Sequence, residues 1–199
     1  MHKRSKRKAA VLNKEQFNRL IKLASYGRQG KRNLLAVLLS FGTGLRVMEI
    51  AALKVNNVIS HNGEIIEEVT LQKTKGDKKR SIYLVDKDIK KAIHDYISER
   101  KLSKKYPFNS NQALIFSQRG ISFSNRSLQK LFERLYRQSG ITGASSHSGR
   151  RTFATRLMEN GIDIKYLSVL MGHSSVSMTA EYVQENPERL KKFTLTALY

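Results

Sequence analysis

Apolar positions recur at helical spacing over most of this chain and at strand spacing in one stretch near its middle. Asn13 with Gln16 forms a capping-box pattern, and Phe17, Leu20, Ile21 and Ala24 follow as one apolar face up to Gly27. Arg32 to Phe41 is apolar nearly all round, which predicts a central, buried helix. Gly42-Thr43-Gly44 breaks it, and Arg46 to Leu53 restarts as a short helix. Asp86 caps a helix running to about Leu102. Residues 103 to 113, polar and holding Pro107, form a loop. Ser124 caps a helix with Leu128, Leu131, Phe132 and Leu135 on one face, closed by Gly140. His147 to Asn160 and Asp163 to Met171 are two further helices, parted by Gly161. Gly172 suits the left-handed position that closes a helix. Ser174 or Ser175 then caps a short helix with Val176, Thr179, Ala180 and Val183 on its packing face, from which Tyr182 is displaced. Asn186-Pro187 opens a last amphipathic helix carrying Leu190, Phe193, Thr194 and Ala197.

Residues 55 to 85 have a different rhythm. Val58 and Ile59, then Glu68 to Gln72, then Arg80 to Val85 predict three short strands, with turns at Asn62-Gly63 and Lys75-Gly76-Asp77. Val69 with Leu71, and Ile82 with Leu84, alternate as in a half-exposed sheet. The fold expected is therefore α+β: mainly α-helical, with a small three-stranded antiparallel sheet. Its divisions are a basic flexible arm (1–10), one domain (11–185) and a C-terminal helix (186–199).

Charge sharpens this picture. The 199 residues hold 37 Lys and Arg against 16 Asp and Glu, a net charge of +21. Such an excess repels itself unless an anion is bound, and double-stranded DNA offers the densest phosphate array. Lys3, Arg4, Lys6, Arg7 and Lys8 of the arm, and Lys78, Lys79 and Arg80 of the sheet, are the expected DNA contacts. The absence of cysteine excludes a disulfide framework and thiolate metal sites. The longest apolar run, Leu34 to Leu39, is far short of a membrane span, and the run after the basic N-terminus is too short for a signal peptide. A cytoplasmic, DNA-associated protein is expected, with no membrane, metal or cofactor involved.

Six residues sit at or near element boundaries. Arg46 stands at a helix start, after Thr43-Gly44-Leu45, where backbone N–H groups and the helix dipole favour an anion. Lys75 lies on a strand-to-strand turn. His147 and Arg150 share a helix start, and His173 follows Gly172 nine residues before Tyr182. Singly, each has an ordinary reading: Arg46 as a surface partner of Glu49, Lys75 as a solvated turn, His147 as a cap, His173 and Tyr182 as turn and core residues. Together they suit phosphoryl transfer. Two arginine forks clamp the non-bridging oxygens of a phosphodiester. A histidine adds a hydrogen bond, and a lysine protonates the departing sugar oxygen. A tyrosine attacks, its proton passing to a base such as His147.

At these residues the chain resembles the tyrosine recombinases, or phage integrases, from about Leu12 to Tyr182. The resemblance is carried by Thr43-Gly44-Leu45-Arg46-Val47-Met48-Glu49-Ile50, Lys75-Gly76, His147-Ser148-Gly149-Arg150-Arg151, and Met171-Gly172-His173 with Tyr182. It implies a DNA breaking-rejoining fold with Arg46, Lys75, His147, Arg150 and His173 in the site. It also implies that Tyr182 forms a 3′-phosphotyrosyl bond with DNA, and that Glu49 and Arg151 play supporting parts. Arg151 departs from the family pattern, which often has a histidine there. Most members also carry a helical core-binding domain ahead of the catalytic one, and the chain looks either like short members such as the fimbrial phase-variation recombinases or like a fragment of a longer one. The resemblance further implies a homotetramer on synapsed DNA sites, with a monomer expected without DNA. The alternatives are an inactive DNA-binding regulator derived from a recombinase and a type IB topoisomerase-like enzyme.

Overall fold

The computed structural model describes residues 8–71, 79–103 and 108–182. Helix α2 (Gly30–Thr43) lies at the centre, packed by α1 (Lys14–Ala24), α3 (Val47–Ala52), α5 (Lys87–Leu102) and α7 (Ser148–Glu159). Its apolar circumference is the reason: Leu35, Ala36, Val37 and Leu39 are fully buried. Removing each of the leucine and valine side chains from water contributes roughly 1.5–3 kcal/mol.

The surrounding helices begin where the sequence supplies caps. Asn13 Oδ1 accepts from Gln16 N at 2.8 Å while Gln16 Oε1 accepts from Asn13 N at 3.0 Å, the reciprocal pair expected at the start of α1. Asp86 caps α5, Ser124 caps α6 (Asn125–Gln138), and Asp163 caps α8 (Ile164–Met171). Gly44 and Gly172 end α2 and α8 in the left-handed region, at φ +66° and +63°.

The sheet is smaller than expected. Among the described residues it has two strands, β1 (Glu68–Leu71) and β2 (Arg80–Tyr83), paired antiparallel with Val69 opposite Ile82 and Leu71 opposite Arg80. The third predicted strand is absent because Val58 ends a short helix, α4 (Val55–Val58). Ile59 makes only an isolated bridge to Ile65 across the Asn62-Gly63 turn. Val55 N instead donates to Gln112 O, at the end of the expected 103–113 loop, and Leu53 O accepts from Leu114 N.

Most of the apolar interior is one continuous core. A separate small cluster, Ala154, Leu167 and Met171, joins α7 to α8 and carries the partly buried Tyr182. The last helix, α9 (Ser177–Ala180), is preceded by Val176, not by a serine cap. Of its expected packing face, Thr179 is buried while Val176 and Ala180 are exposed. Val183 and residues 186–199 lie outside the described residues, as do residues 1–7 of the arm. The arm's end is docked: Ala10 N donates to Gly143 O at 3.0 Å, and Leu12 N donates to Thr152 Oγ1 at 3.0 Å. Among the described residues no helix is long and apolar enough to cross a membrane.

Candidate active site

Arg46 precedes α3 with extended backbone, and Glu49 sits one turn on. The Glu49 carboxylate reaches back: Oε2 accepts from Arg46 N at 2.6 Å, and Oε1 pairs with Arg46 Nη1 at 3.2 Å. Oε2 also takes Nη2 of Arg80 at 2.8 Å. Glu49 thus joins α3 to β2. Both Glu49 and Arg80 are buried, their side chains 7% and 3% exposed. Burying charge is tolerated only when it is paired and hydrogen-bonded, which this arrangement provides.

Arg80 corrects one expectation. It is not an exposed DNA contact, since its guanidinium turns inward and Nη1 donates to Leu170 O, at the end of α8, at 2.6 Å. A signal for this exists in the sequence: Arg80 is in phase with Ile82 and Leu84, both buried, so the strand alternation points all three to one face.

Arg150 arrives from the first turn of α7. Its Nη1 donates to Gly44 O at 2.8 Å, and its Nη2 donates to Met171 O. Two arginines from different elements therefore bond consecutive carbonyls at the C-terminal end of α8, where the helix dipole favours positive charge. Burial, then the nearby cations Arg46 and Arg80, press the Arg150 pKa down, while Glu49 and Tyr182 oppose the shift. The five side chains share one electrostatic neighbourhood. It sets three guanidinium groups against one carboxylate, and an anion complements that excess.

His173 follows Gly172 directly and is buried, 7% exposed. Its Nδ1 lies 2.8 Å from Thr179 Oγ1, and its ring stacks beside that of Tyr182 at 6.1 Å between centroids. A cavity of about 250 Å³ opens beside it, lined among others by Lys79, Lys165, Ser174 and Ser175. Thr179 has no part in the sequence motifs, and its role emerges only when α9 folds back on His173.

Of the residues singled out from sequence, the structure brings together Arg46, Glu49, Arg150, His173 and Tyr182, moves Arg80 from the expected DNA surface into their midst, and adds Thr179. His147 stands exposed at the head of α7, bonding Ser145 and Ser146. Arg151 turns to the entering chain instead: its Nη1 donates to Ala9 O at 2.7 Å. Lys8 is exposed and lies 3.8 Å from Glu181, and Lys79 is exposed beside the cavity. Lys75, Lys78 and the arm residues Lys3, Arg4, Lys6 and Arg7 lie outside the described residues.

Known proteins share this arrangement of elements. Tyrosine recombinase XerA of Thermococcus kodakarensis is 32% identical over 186 residues, covering 92% of this chain and 60% of its own. A crystal structure of XerA recombinase superposes with a TM-score of 0.73 at 28% identity, over 96% of this chain and 65% of that one. XerH site-specific recombinase, solved bound to a palindromic difH substrate as a post-cleavage complex, matches with a TM-score of 0.72 at 25% identity, over 93% of this chain and 52% of that one. The chain spans 52% to 62% of the length of the first curated relatives it matches. The sequence model described as the phage integrase family matches residues 10–189. The chain belongs to the phage integrase family.

Proposed function

We propose that this domain is the catalytic part of a site-specific recombinase that cuts and rejoins double-stranded DNA through a 3′-phosphotyrosyl intermediate. The observation that carries the reading is the convergence of Arg46, Arg150, His173 and Tyr182 on one cationic neighbourhood, in a member of the phage integrase family. The XerH relative held with its DNA substrate supports the choice of ligand.

In this mechanism Arg46 and Arg150 direct N–H groups at the non-bridging oxygens of the scissile phosphate, whose charge grows in the transition state. Arg150 has five N–H donors, two of them engaged by carbonyls, so its fork is held while others remain to bind. The Tyr182 oxygen forms the bond to phosphorus as the bond from phosphorus to the 5′ oxygen breaks. The tyrosine proton passes to a base, for which His147 is the candidate, and Lys75 gives a proton to the departing oxygen. Rejoining runs the same steps backwards with a new 5′ hydroxyl. The guanidinium groups supply the positive charge that metal ions supply in two-metal nucleases, so the reaction proceeds without one. Assembly as a tetramer on paired sites, from monomers without DNA, belongs to the same reading, with residues 186–199 docking on a neighbour.

The test is to incubate the protein with fragmented genomic DNA in EDTA, denature, and sequence whatever stays covalently attached. Wild type should retain one site-specific class of fragment, and Tyr182→Phe should retain none while still binding DNA. Tight binding with no covalent product from wild type would convert the reading to a DNA-binding regulator.

A further inference from the structure

We infer that Gly149 is a positioning residue: by carrying no side chain it seats α7 against Ser40 of α2, and that seating aims the Arg150 fork. The inference rests on the recombinase reading above and adds a residue to it.

The contact consists of two close approaches one helical turn apart. Gly149 is buried in the first turn of α7. A Cβ there would collide with Ser40 Oγ and would stand 2.9 Å from both Ser40 Cβ and Phe41 Cδ2. Ordinary carbon contacts lie at about 3.5–4.0 Å. One turn on, the roles exchange: a Cβ on Gly44, at the end of α2, would stand 2.6 Å from Phe153 Cδ1 of α7. Each helix thus meets the other through a glycine. The surroundings leave little room to yield. Ser40 is fully buried, and the Phe41 ring packs on that of Phe17 at 5.0 Å between centroids. Tyr136 of α6 adjoins the same spot: burial raises its pKa, and the Gly149 backbone opposes the shift.

The helix itself does not ask for glycine here. Gly149 is not among the residues with positive φ, and alanine has the higher helix propensity. What requires glycine is the distance between α2 and α7.

Arg150 is the next residue. Its Nη1 donates to Gly44 O at 2.8 Å, one turn along from Ser40, and its Nη2 donates to Met171 O. The first carbonyl belongs to the end of α2 and the second to the end of α8. Lifting α7 off α2 therefore draws the guanidinium away from both. A planar fork held at two carbonyls cannot follow such a shift without turning.

The experiment compares wild type, Gly149→Ala, Ser40→Gly and the double variant. The first readout needs no DNA: the guanidinium signals of Arg150 by nuclear magnetic resonance in protein with isotope-labelled arginine, identified by their absence from Arg150→Lys. The second is single-turnover cleavage, with affinity measured in parallel, on a nicked duplex carrying the sequence trapped by wild type. A misplacement of about 1 Å costs on the order of 100-fold in rate. Gly149→Ala should shift the Arg150 signals, bind DNA within about threefold of wild type, and cleave roughly 10- to 100-fold more slowly. Ser40→Gly, which removes the atoms the new methyl would strike, should restore most of the signal position and most of the rate in the double variant. If Gly149→Ala does not fold, the double variant carries the test against Ser40→Gly with the same pattern at smaller size, because Phe41 still presses on the methyl.

Arg150 signals that stay in place in Gly149→Ala overturn the inference, as does cleavage at the wild-type rate. Loss of binding in step with loss of cleavage also overturns it, and so does a double variant no faster than Gly149→Ala. Absence of any covalent product from wild type sinks the recombinase reading itself, and the role of Gly149 in cleavage with it.

Discussion

Nδ1 of His173 and Oγ1 of Thr179 lie 2.8 Å apart, both residues buried, and the bond closes α9 back over the end of α8. With Nδ1 engaged there, any hydrogen bond from this ring to a phosphate is made by Nε2. Thr179 thus chooses the working face of the imidazole. Thr179→Val keeps the shape and removes the hydroxyl. It should slow covalent attachment about tenfold and lower stability by about 1–3 kcal/mol, because a buried ring nitrogen loses its partner. Thr179→Ser should restore both. Unchanged cleavage by the Val variant, measured in single turnover, would separate Thr179 from the chemistry.

Among the described residues Glu49 is the acid paired within a neighbourhood of three arginines, and both of its oxygens are used. Glu49→Gln keeps the size and removes the charge. Breaking a buried pair costs about 3–5 kcal/mol, less here because the Arg46 side chain is 22% exposed. The expected loss is about 3 kcal/mol, a fall in Tm of roughly 6–12 °C for a domain of this size. A thermal melt within about 1 °C of wild type would show that the cations tolerate each other without it.

The segment that carries Tyr182, the proposed nucleophile, is built lightly. Helix α9 has four residues and no side-chain cap, and Tyr182 rests on the small Ala154, Leu167 and Met171 cluster, not on the main core. Few buried contacts mean a low free energy of local opening. Amides of residues 177–182 should exchange with deuterium about 100-fold or more faster than those of Leu35 to Leu39. Equal protection in the two segments would make the tyrosine a fixed part of the fold.

If the arm binds phosphates, it contributes to the salt dependence of DNA affinity. Residues 1–7 include Lys3, Arg4, Lys6 and Arg7. Each phosphate contact contributes about 0.9 to the slope of log K against log salt. Removing residues 1–7 should flatten that slope by up to about four, measured by anisotropy from low to physiological salt. An unchanged slope would place the arm off the DNA.

Local chemistry made much of the fold legible. Asn13, Asp86, Ser124 and Asp163 announce helices because a cap acts within three residues of itself, and Gly44 and Gly172 end helices by the same kind of short-range rule. The family motifs named Arg46, Arg150, His173 and Tyr182, which the structure gathers. The fate of Arg80 was harder to read. Its partners are 31 and 90 positions away, and a basic residue in a basic stretch looks like surface. The alternation with Ile82 and Leu84 is the one local signal of its burial, and the expectation of a DNA contact passed it over. The false strand at Val58 and Ile59 has a related cause, since two β-branched residues satisfy strand and short-helix patterns alike until the segment around Gln112 claims the neighbouring backbone.

Arg151 holds Ala9, Thr152 holds Leu12, and Lys8 comes to 3.8 Å from Glu181. The polypeptide entering the domain is therefore threaded past the residue next to Tyr182. A label attached at position 8 therefore sits beside Glu181, the residue before the proposed nucleophile. A small dye at position 8 becomes a spectroscopic gauge of when Tyr182 leaves its seat.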